Sequence, residues 1–519
     1  MSSGSSSLSS GFVRAHLAFT FAVTCVTAWF SYGCFHNDEY FQVIEFTRSK
    51  LGGVDLLPWE YGQRMRPWLQ PFLYWLVARP LVAAGVKDIF VLAFVFRLLT
   101  GIANVGALAV FLRSTLSSIP TVAEKRLHVR VVCLTGFLPY LFVRTSSESG
   151  AMAALTAAVG VVLAGAGPVD AGRMWSVPML ARPARLLALG ALFGIAFEMR
   201  FQTAFIALGV LVWLRVIARA SFAACGWICA SGALVLGASA LVDRWGYGTW
   251  AFPPWTYFQK NLLEGAAQSF GRDPPFAYFW MLPANVFMPL VLALLLLALL
   301  AWIRCPRHPI TWATLPFFVV HNLIAHKEER FLFPIAVLAT AFVTMALGPS
   351  FGPARVGERL AAWAWSKRRA WPGKLLALWS TAGLALLMFV PLGWHLTVRF
   401  THFLQENFGE ELHATALPEV DIHFPAFHPL VYDVDLAEPE EVVRRIDAGT
   451  ARPWLITEQP ILRTGTSLDT RATVVFSELP GHRNRALTER IMVIVDAYNA
   501  SAPPFLRRLR YRTLYRVGP

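Results

Sequence analysis

Charge is what this sequence has least of. Only 15% of its 519 residues are Asp, Glu, Lys or Arg, whereas a soluble globular chain carries about a quarter. With 56% of the chain hydrophobic and a mean hydropathy of +0.50, that scarcity excludes an ordinary soluble domain. Cysteine is scarce too. The six residues lie in or beside apolar runs, none in the long C-terminal tail. Their spacing gives neither a disulfide framework nor a metal site. No internal repeat is visible, which weighs against a transporter built from inverted halves. Acidic residues number 32 against 46 basic ones, a net +14. That surplus does not point to nucleic acid, because Lys and Arg gather in short loops on one side of a membrane.

What is present is a succession of apolar runs of roughly 17–25 residues, the length that crosses about 30 Å of hydrocarbon. About eleven spans are expected, at 15–35, 89–112, 128–144, 149–166, 186–198, 201–219, 222–243, 282–303, 310–325, 331–348 and 375–398. The run 68–85, interrupted by Pro71, Arg79 and Pro80, reads as a helix lying at the interface. With a cytoplasmic N-terminus the cytoplasmic loops then hold Arg113, Lys125, Arg126 and Arg130, next Arg173, Arg182 and Arg185. Arg215, Arg219, Arg304, Arg307 and the basic cluster between Arg355 and Lys374 follow on the same side. Counting 68–85 as a crossing would break that pattern, so the positive-inside rule supports an interfacial helix. The Ser/Gly-rich residues 1–14 read as a flexible lead, without a cleavage site, before a retained first span. Residues 15–398 read as an all-α multi-pass membrane domain. Residues 399–519 alternate strand-like runs (WLITEQPIL, ATVVFSEL, RTLYRV) with helical ones (EPEEVVRRI, LTERIMVIVDAY). They read as a small soluble α/β domain.

This topology sends the polar clusters to the non-cytoplasmic face. His36-Asn37-Asp38-Glu39-Tyr40 follows the first span. Carboxylates at the edge of hydrocarbon are solvated, paired or used. Asp38 is placed to act as a base toward an attacking hydroxyl, with Glu39, the second candidate catalytic acid, pointing elsewhere to orient the acceptor or the loop; the plainer reading is a solvated span end. His326-Lys327-Glu328-Glu329-Arg330-Phe331 sits between two spans. Lys327 as a point charge and Arg330 as a fork could clamp a phosphate, with His326 and Glu328 in support. A tight turn whose charges pair with one another is the alternative. Arg144, Glu148, Glu198, Arg200 and Gln202 also fall on this side, where arginines break the positive-inside pattern. They serve either a bound anion or internal salt bridges. In the first long loop Trp59, Tyr61, Glu60, Arg64 and Arg66 offer stacking faces and charges for sugar and phosphate, although Trp and Tyr also anchor interfaces. The loop 244–281 is aromatic and rich in Gly and Pro, reading as a lid, an acceptor groove or an interfacial loop. Asp433-Val-Asp435 has the look of a metal-holding acid pair, but no nucleotide-binding βαβ unit precedes it, and it reads as chance.

Taken together, these residues make the chain resemble the family 22 glycosyltransferases, lipid-phosphomannose-dependent enzymes of the GT-C fold. HNDEYFQ resembles that family's His-x-Asp-Glu-Tyr motif, and WEYGQRMRPWLQP its Trp-Glu-Tyr/Trp…Arg-x-Arg stretch. VRTSSES is similar to a degraded Arg-Thr-x-Ser-Asn segment, with Glu148 where Asn is expected. HKEERF matches the His-Lys-Glu-x-Arg-Phe signature, and YFQKNLL…FGRDPPFAYF, which contains Tyr257, is similar to the Tyr-x…Gly-x-x-Pro-x-x-Tyr loop. The motifs run in order across roughly residues 36–331 and are not recognisable beyond it. Within the family the branch acting on glycosylphosphatidylinositol precursors looks most similar. The resemblance implies a GT-C membrane domain of about eleven helices and a dolichyl- or polyprenyl-phosphate mannose donor. It also implies a glycolipid acceptor in the membrane, inversion to an α-1,2 product, Asp38 as base, and neither metal nor cofactor. Substrate contacts would come from His36, Trp59, Glu60, Arg66, Arg144, Glu148, Arg200, Gln202, Tyr257, His326, Lys327, Glu328 and Arg330. The active site would face the lumen of the endoplasmic reticulum in a eukaryote, or the periplasm in a bacterium. Transfer of a different sugar, or flipping of a polyisoprenoid-linked glycan, are the competing expectations.

Overall fold

The computed structural model describes residues 8–31, 33–36, 38–52, 57–169, 174–266, 271–283, 287–348, 371–389, 394–408, 411–418, 431–479, 484–501 and 511–518. Asn37 and most of the basic cluster between Arg355 and Lys374 lie outside them. The described chain forms two compact units.

The first unit comprises residues up to Trp29, Leu57–Pro80 and Val95–Leu386. It contains all or most of α1 (Ser10–Phe30), α2 (Leu69–Ala83), α3 (Ile89–Ser118), α4 (Val122–Leu134), α5 (Phe137–Phe142) and α6 (Ser147–Leu163). These continue into α7 (Pro183–Met199), α8 (Ala204–Val216), α9 (Phe222–Tyr247), α10 (Met288–Arg304), α11 (Pro309–Leu323), α12 (Ala336–Leu347) and α13 (Trp371–Phe389). Among the described residues, four helical stretches, Ser10–Phe30, Ile89–Ser118, Phe222–Tyr247 and Glu329–Leu347, are long and apolar enough to cross a membrane. Shorter apolar helices accompany them.

Helix ends follow the local chemistry. Thr121, Ser146 and Ser221 cap α4, α6 and α9 by accepting backbone N–H bonds from Glu124, Ser149 and Ala224. Pro183 and Pro309 open α7 and α11 where a missing N–H costs nothing. Two expected spans differ. The run 128–144 is divided at Thr135 and Gly136 into α4 and α5, and the Gly136 N–H donates to Ser380 Oγ on α13 at 2.6 Å. The run 375–398 is helical from Trp371 to Phe389, and a separate helix begins at Trp394. The lead expected to be flexible to residue 14 is already helical from Ser10.

Close helix contacts depend on small residues. A Cβ on Gly190 of α7 would collide with the Ile228 carbonyl of α9, the kind of backbone approach that apolar helix bundles use in place of hydrophobic drive. Buried amides tie other elements together. Asn104 of α3 donates to the carbonyls of Phe142 and Ser149, at 3.2 Å each. Gln70 of α2 donates to the Thr145 carbonyl at 3.0 Å. Between them they fix the turn that leads into α6.

The second unit comprises Phe30–Leu56, Leu81–Phe94 and Leu387–Pro519, so residues 30–56, 81–94 and 387–398, which the sequence reading assigned to the membrane domain, group with the C-terminal part. Its sheet has five strands: β1 (Glu411–Ala416), β2 (Val431–Leu436), β3 (Trp454–Thr457), β4 (Ala472–Ser477) and β5 (Thr513–Val517). Their order is β2-β1-β3-β5-β4, parallel across the first three and antiparallel beyond. Alternation divides the core between two faces. Leu412, Ala414 and Ile456 pack with Phe400 and Leu404 of the helix Trp394–Phe408. Leu455 and Tyr515 pack with Val442 and Ile446 of the helix Pro439–Asp447.

Candidate functional site

Four sequence-distant segments of the first unit meet in one buried polar group. The first turn of α6 supplies Glu148, the turn after α7 supplies Arg200 and Gln202, the segment after α11 supplies His326 to Arg330, and the loop after α9 supplies Tyr257. Arg200 Nη1 stands 3.3 Å from Glu148 Oε1, and Arg330 Nη1 stands 3.8 Å from the same oxygen. The three residues are 0–5% exposed, so solvent screens their charges little. Arg330 Nε donates to Glu328 Oε2, and His326 Nε2 lies 2.9 Å from Glu328 Oε1. The Arg200 guanidinium lies over the Phe331 ring at 4.9 Å, a cation–π contact.

Two residues on, Gln202 donates to the Tyr257 hydroxyl at 2.9 Å, and Phe201 meets the Tyr257 ring edge-on at 5.2 Å. The Arg66 guanidinium stands 5.3 Å over that ring and pairs with Glu60 at 2.7 Å. A fifth segment, the first long loop, thereby joins the group. Arg144 is fully buried and sits over Tyr140 at 4.4 Å. Trp59 is half exposed and makes none of these contacts.

Lys327 lies within the same segment but is aimed differently. Its ammonium donates to the carbonyls of Asp273, at 3.3 Å, and Ile324, and its backbone N–H donates to the Asp273 carboxylate at 3.0 Å. The Asp273 N–H donates in turn to Ala325 O at 2.8 Å. Burial lowers the Lys327 pKa from its ordinary value, with the Asp273 charge opposing. Lys327 thus fastens the loop 271–283 to the segment after α11. Tyr278, fully buried in that loop, has its pKa raised chiefly by burial, opposed by a backbone hydrogen bond at Glu328.

His36, Asp38 and Glu39 belong to the second unit. The Glu39 side chain is buried and accepts the Phe35 N–H at 2.7 Å, which closes the turn before a π-helical stretch, Tyr40–Ile44. The Asp38 carboxylate lies 3.6 Å from His36 Nδ1, and both side chains are about a quarter exposed. The two neighbouring acids therefore have different surroundings, one buried and holding backbone, one partly exposed beside a histidine.

The sequence reading passed over residues that hold this geometry. Asp243 accepts the Trp68 N–H at 2.7 Å. The Tyr247 hydroxyl accepts the Arg66 N–H at 3.3 Å and donates to the Arg66 carbonyl at 2.6 Å. Together they clamp the loop that carries Arg66 onto the end of α9, where a Cβ on Gly246 would collide with the Trp68 indole. The available signal was Asp243 itself, a lone acid near the end of an apolar run.

The sequence profile of the Alg9-like mannosyltransferase family matches residues 15–410. GPI alpha-1,2-mannosyltransferase 3 of Danio rerio is 26% identical over 352 residues, 66% of this chain and 58% of that protein. A probable Dol-P-Man:Man(7)GlcNAc(2)-PP-Dol alpha-1,6-mannosyltransferase of Schizosaccharomyces pombe is 28% identical over 130 residues, 25% of this chain and 23% of that one. The chain thus spans less than two thirds of the length of these curated relatives. Among solved structures, ArnT from Cupriavidus metallidurans bound to undecaprenyl phosphate aligns over 99% of this chain and 100% of its own, at 12% identity and a TM-score of 0.46.

Proposed function

Because this chain belongs to the Alg9-like mannosyltransferase family, we propose that it moves mannose from a polyisoprenyl-phosphate donor to a lipid-linked glycan, inside a GT-C type membrane domain. The observation that carries this reading is the convergence of Arg200, Glu148, Arg330, Glu328 and His326 with Gln202, Tyr257, Arg66 and Glu60 in one buried group. Arginine forks near an apolar bundle suit the phosphate of a lipid donor. Tyr257 and the Glu60–Arg66 pair suit sugar hydroxyls and a ring face. Asp38 is the base. Its carboxylate takes the proton of the acceptor hydroxyl as that oxygen attacks C1 of mannose, the C1–O bond breaks, and the electron pair leaves on the phosphate oxygen. Displacement from the opposite face inverts the anomeric centre. No protein acid is required, because a phosphate ester is already a good leaving group.

A glycosylphosphatidylinositol precursor with an α-1,2 linkage is the acceptor we favour, since the Danio rerio relative is named for that linkage. The fission-yeast relative, named for an α-1,6 linkage on a diphosphodolichol-linked glycan, makes the lipid-linked oligosaccharide the alternative. The chemistry takes place on the luminal or periplasmic side. The test is a membrane assay with radiolabelled dolichyl-phosphomannose and total glycolipid as acceptor. Asp38→Asn is expected to reach the membrane at normal level and to lose transfer by about 10²-fold or more. Near-normal turnover in that variant removes Asp38 from the base role, and transfer of a different sugar from its lipid phosphate removes mannose as the donor sugar.

A further inference from the structure

One carboxylate oxygen serves two guanidiniums in the buried group. Glu148 Oε1 lies 3.3 Å from Arg200 and 3.8 Å from Arg330, and Glu148 is fully buried. Its position is set by the helix as well as by the arginines. Glu148 stands in the first turn of α6, whose cap is Ser146, and its other oxygen accepts the Ser147 hydroxyl at 3.3 Å. The carboxylate is therefore a fixed negative charge set between two fixed positive ones.

We propose that Glu148 is a specificity- and turnover-determining residue: it tempers Arg200 and Arg330 so that a lipid phosphate monoester, the product, is released rather than trapped. The inference rests on the reading that these arginines hold the donor phosphate. The donor is a phosphodiester with a single negative charge. When the C1–O bond breaks, the leaving oxygen keeps the electron pair and the acceptor proton passes to the base. The lipid leaves as a phosphate monoester of about −1.5 to −2 at neutral pH, its second ionisation lying near pH 6. Attraction to fixed cations scales with ligand charge, so it grows by up to about twofold at the moment of transfer. Without the Glu148 charge the two arginines, Arg330 keeping its pair with Glu328, would therefore hold the product better than the substrate in a poorly screened site. A fixed carboxylate beside both repels each ligand in proportion to its charge, and so weakens the product more than the donor.

The experiment uses the full chain in detergent and two defined probes, farnesyl phosphate as the monoester and methyl farnesyl phosphate as the diester, each titrated by calorimetry at neutral pH. Glu148→Gln, which keeps shape and removes charge, is expected to tighten both probes and to raise the preference for the monoester by about fivefold or more. Glu148→Asp restores the charge and is expected to return the preference to that of the unmodified protein. Glu148→Asn is the second neutral variant should Gln not fold, with folding followed by thermal unfolding. If the neutral variants loosen both probes, or shift both equally, Glu148 is only a brace for the arginines and the proposal is overturned. If the unmodified protein binds neither probe, or Arg200→Gln and Arg330→Gln leave binding unchanged, the phosphate reading itself falls and takes this inference with it.

Discussion

The ammonium of Lys327 faces two backbone carbonyls rather than an open space, and that orientation separates it from Arg330, four charges of the same motif notwithstanding. Lys327→Met is expected to loosen the loop 271–283, read as faster amide exchange there, while raising donor KM less than Arg330→Met does. Equal effects on donor KM with unchanged exchange would return Lys327 to the phosphate. At this scale the sequence conveyed which residues are unusual but not their partners. HKEERF was visible as a charged motif between apolar runs, whereas the pairing of Lys327 with Asp273 spans 54 residues and has no local signature. Asp435 makes the same point. As half of Asp433-Val-Asp435 it resembles a metal ligand, yet its side chain engages Thr415, Arg445 and Arg452. Burial would raise its pKa, but hydrogen bonds from Arg445 and Thr415 and the charges of Arg452 and Arg445 carry it below the ordinary 3.8. A depressed carboxylate contributes stability above its unfolded pKa and loses it as pH falls through the folded one. Asp435→Asn should therefore lower Tm at pH 7 by an amount worth at most about 1 kcal/mol, since the group is 30% exposed. That gap should narrow as pH falls from about 4 through the depressed pKa of the folded state; a gap that does not narrow with acid would assign the effect to packing.

Helices are where apolar run length is most informative, and their ends are where it fails. The runs at 222–243 and 89–112 correspond to α9 (Phe222–Tyr247) and α3 (Ile89–Ser118), displaced only at their termini. The break at Thr135 and Gly136 was illegible because both flanks are apolar, and the α4–α5 interruption is satisfied from a residue 244 positions away. Packing between helices was equally hidden, because a glycine in an apolar run looks the same whether it faces lipid or a neighbouring backbone. Gly190 and Gly237 show the difference: a Cβ at the first collides with Ile228 of α9, and a Cβ at the second meets nothing within 4 Å. Gly190→Ala is expected to cost roughly 1–3 kcal/mol through overpacking. Gly237→Ala should be neutral or stabilising, because Ala is the better helix former. Thermal unfolding in detergent distinguishes them; equal losses at both positions would mean that helix contact is not the cause. Gly246→Ala adds a functional readout, since displacing Trp68 moves the loop that holds Arg66.

For the whole molecule the sequence proposes an orientation, in which clusters 36–42, 143–149, 197–202, 244–281 and 326–331 share the non-cytoplasmic face. In a background lacking the six native cysteines, Leu262→Cys should react with an impermeant maleimide from that face, and Ala123→Cys only after permeabilisation; both side chains are exposed. The reverse pattern would invert the protein and move the proposed chemistry to the cytoplasm. What run length and charge could not supply is which clusters touch, because topology assigns a face and only folding assigns neighbours. The hydrogen bond from Gly136 to Ser380 carries a practical corollary for gene architecture. A reading frame interrupted anywhere upstream of codon 371 would lose the hydroxyl that accepts this N–H, stranding a bare amide amid hydrocarbon-like side chains. Nonsense alleles and deletions that remove Ser380 should therefore destabilise the turn between α4 and α5, whereas truncations that begin beyond it leave that hydrogen bond in place.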